Sequence, residues 1–401
     1  MHRSAYPSVV ERCNERRAMQ LKYGCNPHQA FAAAEPLGAA PVRLLNGQPS
    51  IINLLDALNS WQLVHELRQT LGLPAAASFK HVSPAGAALA VPLSPELARA
   101  YEVTGLELTP VALAYVRARG ADPKCSFGDF VALSEPVDEV TANFLKTVVS
   151  DGIIAPGYEP RALATLAAKK NGSFIVLEAD ASFVPPARES REIFGMRLVQ
   201  DRNSHVFSEG DLQRVVCGEL TADARRDLVL GYTTLKYTQS NSVGYAIGGQ
   251  MIGIGAGQQS RVDCTKLAGA KADVWQLGLH PKVLGLRFKP ELKKQDRINW
   301  RVRYIEGDLT TYERQALADA LDGAFEPLGD AEKQAFLQRV SDVSMVSDGF
   351  IPFRDNIDHA QRHGVKFIAQ PGGSSRDADI EGACKEYGIT MVHTSVRAFH
   401  H

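Results

Sequence analysis

The stretch from Val365 to His393 constrains the fold of this chain more than any other. Val365 to Ala369 is a β-rich apolar run after Gly364, and Pro371-Gly372-Gly373-Ser374-Ser375 cannot continue a strand. Ile380, Ala383, Cys384 and Tyr387 then fall at i, i+3, i+4 and i+7, the spacing of one helix face. Gly388 stands where such a helix stops, and Ile389 to His393 reads as the next strand. The spacing predicts a βαβ unit with a glycine-rich turn at the carboxyl end of its first strand. A second unit lies upstream. It has a strand over Gly152 to Ala155, a helix over Pro160 to Lys170 with proline in its first turn, a stop at Asn171-Gly172, and a strand over Ser173 to Leu177. Ala75 to Phe79 reads as a buried strand that delivers Lys80 and His81 at its carboxyl end, the edge where open α/β sheets bind ligands.

These units predict an α/β protein. At roughly 150 residues per domain, the 401 residues fit two α/β domains flanking a smaller piece. The segments drawn from the sequence are 10–185, a connecting α+β segment 186–278, and 279–401. Lys and Arg total 44 against 45 Asp and Glu, so no basic field exists to hold nucleic acid. No stretch approaches the ~20 apolar residues of a membrane span, and Met1 to Arg17 lacks the apolar core of a signal peptide. Six dispersed cysteines without a CxxC fit free thiols in a reducing cytosol, so the expectation is a soluble, cytoplasmic protein.

Individual motifs leave alternatives open. Lys80-His81, before the break at Pro84 and Gly86, could pair a proton-transfer imidazole with a cation for an anionic ligand. The dipeptide alone more often marks a satisfied histidine beside a solvated lysine. Gly253-Ile254-Gly255-Ala256-Gly257-Gln258 fails the dinucleotide fingerprint at its third glycine, and its glycines instead suit close approach of backbone to a ligand or another strand. Leu21 to Gln29 is a loop rich in hydrogen-bonding groups, either ligand-facing or an ordinary surface turn. Phe350-Ile351-Pro352-Phe353-Arg354-Asp355-Asn356 offers aromatics around a rigid turn for a flat heterocycle, with Asp355 or Asn356 as a helix N-cap. His359 and His363 have helical ligand spacing but no adjoining Glu or third ligand. Serine-nucleophile and P-loop signatures are missing.

Taken in order, LKYGCNPHQ, SFKHVSPAGAA, SFGDFVALS, SDGIIAPGY, KYTQSNSV, GQMIGIGAGQQSR, SDGFIPFRDN and the ending VRAFHH closely resemble the AICAR transformylase domain, the formyltransferase half of bifunctional purine-biosynthesis enzymes that also have IMP cyclohydrolase activity. The resemblance runs from about Lys22 to His401. It implies two cytidine-deaminase-like α/β/α subdomains joined by a smaller one. It also implies formyl transfer from 10-formyltetrahydrofolate to the 5-amino group of AICAR ribonucleotide, giving FAICAR and tetrahydrofolate. A homodimer with active sites at its interface is expected, without a catalytic metal, since the deaminase zinc signature is absent from the sequence; some relatives hold a structural monovalent cation near the carboxyl-terminal segment.

Position by position, the resemblance makes His81 the proton-transfer residue, Lys80 a stabilising cation and Asn241 the donor to the formyl oxyanion. Lys22, Tyr23 and Arg397 would bind the nucleotide phosphate, and Asn53, Gly128, Asp151 and Asp355 its base and ribose. Phe350 and Pro352 would frame the shared pocket, with Arg261, Val262, Asn299 and Pro352 toward the folate. Two departures stand out. Lys22 occupies the position of a family arginine and lacks the planar fork for phosphate, unless Arg16 or Arg17 compensates. Only about 20 residues precede the LKYG motif, so formyl transfer alone is expected, with a separate IMP cyclohydrolase acting downstream. The alternative is a catalytically silent module that binds the AICAR nucleotide.

Overall fold

The computed structural model describes residues 18–401. Positions 1–17, with Cys13, Arg16, Arg17 and the start of the first predicted segment, lie outside the described residues. Twelve strands form one continuous sheet: β1 (Val42–Asn46), β2 (Ala75–Lys80), β3 (Ser83–Leu89), β4 (Asp129–Leu133), β5 (Ser150–Ala155), β6 (Ile175–Ala179), β7 (Val215–Cys217), β8 (Val243–Ile247), β9 (Gln250–Gly255), β10 (Val343–Ser347), β11 (Val365–Gln370) and β12 (Thr390–His393). Across the sheet the order is β7-β12-β11-β10-β8-β9-β3-β2-β4-β5-β6-β1. Strands β4, β5 and β6 run parallel, as do β10, β11 and β12, with antiparallel pairs between the two groups. The α/β class expected from the sequence is the one observed, and the sheet passes unbroken through all three predicted segments.

Helices cover both faces. On one side lie α1 (Ile51–Leu71) and α3 (Ala222–Leu235); on the other lie α2 (Pro110–Ala121), α4 (Arg261–Leu277) and several shorter helices. Side chains alternate accordingly: Ala75, Ala77 and Phe79 pack with α1, whereas Ala76 packs with Tyr115 of α2. A sheet buried on both faces favours apolar residues on both sides of each strand, which is why β2 opens as Ala75-Ala76-Ala77 and β5 closes as Ile153-Ile154-Ala155, with their polar residues toward the rim end. Helices within 281–337 surround a separate small core of Leu277, Val283, Tyr304, Ile305, Leu317, Leu321 and Leu328. Outside this sheet, the strands Arg188–Ile193 and Met196–Asp201 pair, among the described residues, only with each other, and their hairpin carries exposed Ile193, Phe194, Met196, Leu198 and Val199. Among the described residues, no helix is long and apolar enough to cross a membrane, and the five described cysteines are free.

The C-terminal unit follows its sequence pattern: β11, a helix over Asp377–Tyr387 and β12, with Gly388 at φ 62° donating its N–H to the Cys384 carbonyl. The upstream unit differs. Its helix ends at Ala167, and Lys170 and Asn171 turn left-handed before β6 starts at Ile175. Asn46 explains the shift, because its side-chain amide donates to the carbonyls of Ala167, Gly172 and Phe174 and captures the connection against β1. The glycine run lies on β9, and the element it lets in is a helix rather than a strand. A Cβ at Gly253 would strike the Ala268 carbonyl and come within 2.9 Å of the Ala272 nitrogen, both in α4, and one at Gly255 would come within 2.5 Å of the Cys264 carbonyl oxygen. Backbone cannot yield as a side-chain tip does. Gly253→Ala should therefore destabilise the protein by about 1–3 kcal/mol, read by chemical denaturation, whereas Gly382→Ala, with open space around it, should cost nothing measurable.

Candidate functional site

Strand directions gather the candidate residues on one rim of the sheet. β2 ends at Lys80, while β3, β4 and β5 begin beside it, through the pairings Lys80 with Ser83, Phe79 with Phe130, and Asp129 with Ser150. β3 meets β9 antiparallel at Ala88 and Gln250, so β9 ends at Gly255 on the same rim, next to the start of β8 and the end of β10. β11 and β12 end there too. The rim thus mixes carboxyl and amino ends of strands. Asn299 is apart from it, exposed on the helix Lys294–Glu306, where its Oδ1 accepts from Gln295.

In the first half of the rim, His81 and Val82 both have left-handed backbone, φ 55° and 59°. For non-glycine residues this costs about 1–3 kcal/mol each, so the surroundings must enforce it. The Val82 N–H donates to the buried Asp56 Oδ1 at 2.6 Å. The resulting turn leaves His81 exposed, while Lys80 reaches across to the Phe127 carbonyl at 2.5 Å, next to Gly128 at φ 73°. Beneath it, the buried Asp129 carboxylate accepts from Arg119 (2.8 Å) and Ser78 (2.7 Å); burial outweighs these partners and raises its pKa. Asp151 pairs with Lys170 at 2.5 Å. Burial, reinforced by Asp151 and Asp129, pushes the Asp56 carboxyl up to about 6, against the pull of the Val82 and His81 backbone.

α1 begins on this rim. Asn53 closes a reciprocal cap with Ser50, accepting from the Ser50 N–H at 2.9 Å. Lys22 and Tyr23 are stitched to the same helix start by their backbones, to Pro49 and Ile51. An exposed ammonium beside the positive end of a 21-residue helix favours an anion.

The second half is organised by Asp348, which is fully buried. Its Oδ1 accepts from Arg261 Nη1 at 2.5 Å, and its Oδ2 accepts from Ser240 Oγ and the Ser242 N–H at 2.7 and 2.9 Å. Arg261 also donates to Ser347 Oγ and, through Nη2 at 2.7 Å, to Asn241 Oδ1. Asn241 Nδ2 donates to the Gln258 and Gln259 carbonyls. Val262, the next residue of α4, is half-buried. Phe350 and Phe353 are about half exposed on either side of buried Ile351 and half-buried Pro352. Asp355 is the first residue of the helix Asp355–Gln361, whose N-cap is Arg354; neither Asp355 nor Asn356 caps it, because Arg354 already has helical backbone angles. Arg397 lies exposed over the Phe399 ring, 4.4 Å from its centroid. The chain end returns to the network: Ser240 accepts from the His400 N–H, and burial lowers the His400 imidazole pKa. The halves touch where the Gln239 N–H meets Ser83 Oγ at 3.5 Å.

Two rim residues escape sequence reasoning, Asp56 and Asp348. The first left a signal as the one charge within Ile51 to Leu58; the second repeats, as Ser347-Asp348-Gly349, the tripeptide Ser150-Asp151-Gly152. Behind the rim, a cavity of about 400 Å³ lies between α2, α4 and the helix Lys294–Glu306, walled by Phe144, Trp275 and Ile298. It holds none of Lys80, His81 or Asn241. Among the described residues, no group of three or more His, Cys, Asp or Glu side chains could hold a metal ion.

Comparison with known proteins identifies the family of the chain. The family described as AICARFT/IMPCHase bienzyme matches residues 2–271. The chain is 31% identical over 389 residues to the bifunctional purine biosynthesis protein PurH of Roseobacter denitrificans, and 30% identical over 395 residues to that of Magnetococcus marinus. PurH of a Ruegeria species is likewise 31% identical over 389 residues. Each match covers 96% of this chain and 60% of the relative, so the chain spans about three-fifths of the length of the relatives it matches. On the extent of these matches, the chain belongs to the AICARFT/IMPCHase bienzyme family of purine biosynthesis.

Proposed function

We propose that this protein transfers the formyl group of 10-formyltetrahydrofolate to the 5-amino group of AICAR ribonucleotide, releasing FAICAR and tetrahydrofolate. The observation that carries this reading is the exposed His81 imidazole, held on a left-handed turn beside Lys80 and on the same rim as the Asn241–Arg261–Asp348 network. An aromatic amine beside a carboxamide is a weak nucleophile, so the reaction needs proton removal and a positioned donor for developing charge. In this reading the amine nitrogen attacks the formyl carbon, and His81 takes the proton the amine loses. The bond from that carbon to folate N10 then breaks, and N10 is protonated as it leaves. Lys80 steadies the negative charge on the formyl oxygen, joined by the Asn241 amide as it exchanges its longer bond, to the Gln259 carbonyl at 3.3 Å, for the substrate.

Lys22, Tyr23 and Arg397 are assigned to the phosphate, and Asn53, Gly128, Asp151 and Asp355 to base and ribose. Phe350 and Pro352 frame the pocket. Arg261 already directs its guanidinium inward, which leaves Val262 and Pro352 as the more available folate-facing groups of this rim; Asn299, apart from it, would meet the folate only from a partner subunit. The exposed hairpin of 188–201 supports the dimer: an isolated two-stranded ribbon with an apolar tip is marginal in water and gains from a covering partner. Its Glu189 and Arg191 lie close enough to influence His400, next to the rim.

A spectrophotometric formyl-transfer assay with product analysis tests the proposal. FAICAR should accumulate in step with tetrahydrofolate when AICAR ribonucleotide and 10-formyltetrahydrofolate are supplied together. Nucleotide binding without turnover would identify a silent binding module instead. His81→Ala should lower kcat by about 10²-fold or more with nucleotide affinity largely kept, and near-normal turnover would remove His81 from its role. Lys22→Arg, restoring a bidentate fork, should lower the nucleotide KM roughly tenfold; an unchanged KM would mean that the phosphate is held elsewhere. Asp348→Ala strands the buried Arg261 charge and should cost about 3–5 kcal/mol of stability in urea unfolding, where a loss under 1 kcal/mol would exclude the network as an organiser of the rim.

A further inference from the structure

We infer that Asp56 is a positioning residue for His81, its carboxylate fixing the left-handed turn that presents the imidazole. The inference rests on the formyl-transfer reading for its kinetic part. Asp56 lies one turn beyond Asn53 on α1, among the buried Leu54, Ala57 and Leu63, where an apolar side chain would pack at no desolvation cost. Among the described residues it makes no ion pair; its carboxylate receives the Val82 N–H at 2.6 Å and faces the His81 backbone. The other charged groups around it are spoken for. Lys80, on β2, donates to the Phe127 carbonyl; Asp129, on β4, binds Arg119 and Ser78; Asp151, on β5, binds Lys170. What Asp56 secures is therefore the turn itself.

Val82 is β-branched and sits at φ 59°, a conformation such residues avoid. Without an acceptor its N–H would be orphaned, and the residue would relax toward extended backbone, rotating His81 away from the rim. Displacement of a reacting group by about 1 Å can cost ~10²-fold in rate.

The test compares Asp56→Asn, which keeps the oxygen acceptor without the charge, with Asp56→Ala, which removes it. In the formyl-transfer assay Asp56→Ala should lose about 10²-fold in kcat with the nucleotide KM unchanged, and Asp56→Asn should recover most of that loss. Adding Val82→Gly to Asp56→Ala should restore part of the rate, because glycine adopts positive φ freely. In ¹H–¹⁵N spectra the Val82 amide proton should resonate at low field in the wild type and in Asp56→Asn, and move upfield in Asp56→Ala. Wild-type kcat in Asp56→Ala overturns the inference, as does an Asp56→Asn variant as slow as Asp56→Ala. If the wild type transfers no formyl group, the proposed function fails by itself. The Val82 resonance then decides the role of Asp56, and an unmoved signal in Asp56→Ala overturns it.

Discussion

A buried residue, Asp348, ties three other stretches of chain to its own, two through its carboxylate and one through its backbone carbonyl. Arg261 from α4, Ser240 and Ser242 before β8, and Ala398 near the C-terminus all bond to this residue, and His400 joins through Ser240. Taking a carboxylate fully out of water is costly unless each oxygen is met by donors. Here each oxygen is met, one by a guanidinium and the other by a hydroxyl and a backbone N–H. The loop carrying Asn241 has no regular structure of its own, so its shape follows from this node. The amide of Asn241 is in turn bonded on both sides, to Arg261 and to the Gln258 and Gln259 carbonyls.

The first half of the rim uses the same device with different donors. Asp129 gathers Arg119 and Ser78 beneath the turn that carries Lys80 and His81, and Asp56 holds the turn from the side of α1. In both halves apolar packing fixes the sheet and helices, while a few buried polar nodes fix the irregular ends of strands. This division is expected physically. Hydrophobic contacts are non-directional and tolerate small displacements, whereas hydrogen bonds in a low-dielectric interior set angles and distances.

Periodicity was enough to read the parts of this fold that depend on it. The strand-turn-helix-strand order of 365–393 is present with the boundaries shifted by a few residues, and Ala75 to Lys80 is the strand that carries the Lys80-His81 pair to a sheet rim. What periodicity does not encode is which strand ends become neighbours. The continuous sheet arises because β9 meets β3, residues more than 150 positions apart, and no local pattern announces that pairing. The early end of the helix after Pro160 was hidden for the same reason, since it depends on a side chain of β1. The rim candidates came from long motifs matched to a family, which reveal residue identity but not partners. Asp56 and Asp348 therefore emerge only with coordinates, although an aspartate within Ile51 to Leu58 is an anomaly that a reader of the sequence could have questioned.

The junction of the two sheet halves has a mechanical consequence. β3 and β9 pair directly at Ala88 and Gln250, with the Leu89 N–H reaching the Gly249 carbonyl, and side chains do much of the joining: Gln250 to Tyr101 and the Arg117 carbonyl, Arg117 to the Gly248 carbonyl, and Lys236 and Tyr237 to Glu66. A ladder this short leaves the registration of the two halves to those side chains and to the apolar core they share, where Leu230, Tyr237 and Met251 pack with Leu63 and Leu67. The spacing of His81 and Asn241 thus depends in part on Gln250 and Arg117, at the far end of the strands from where the reacting groups stand.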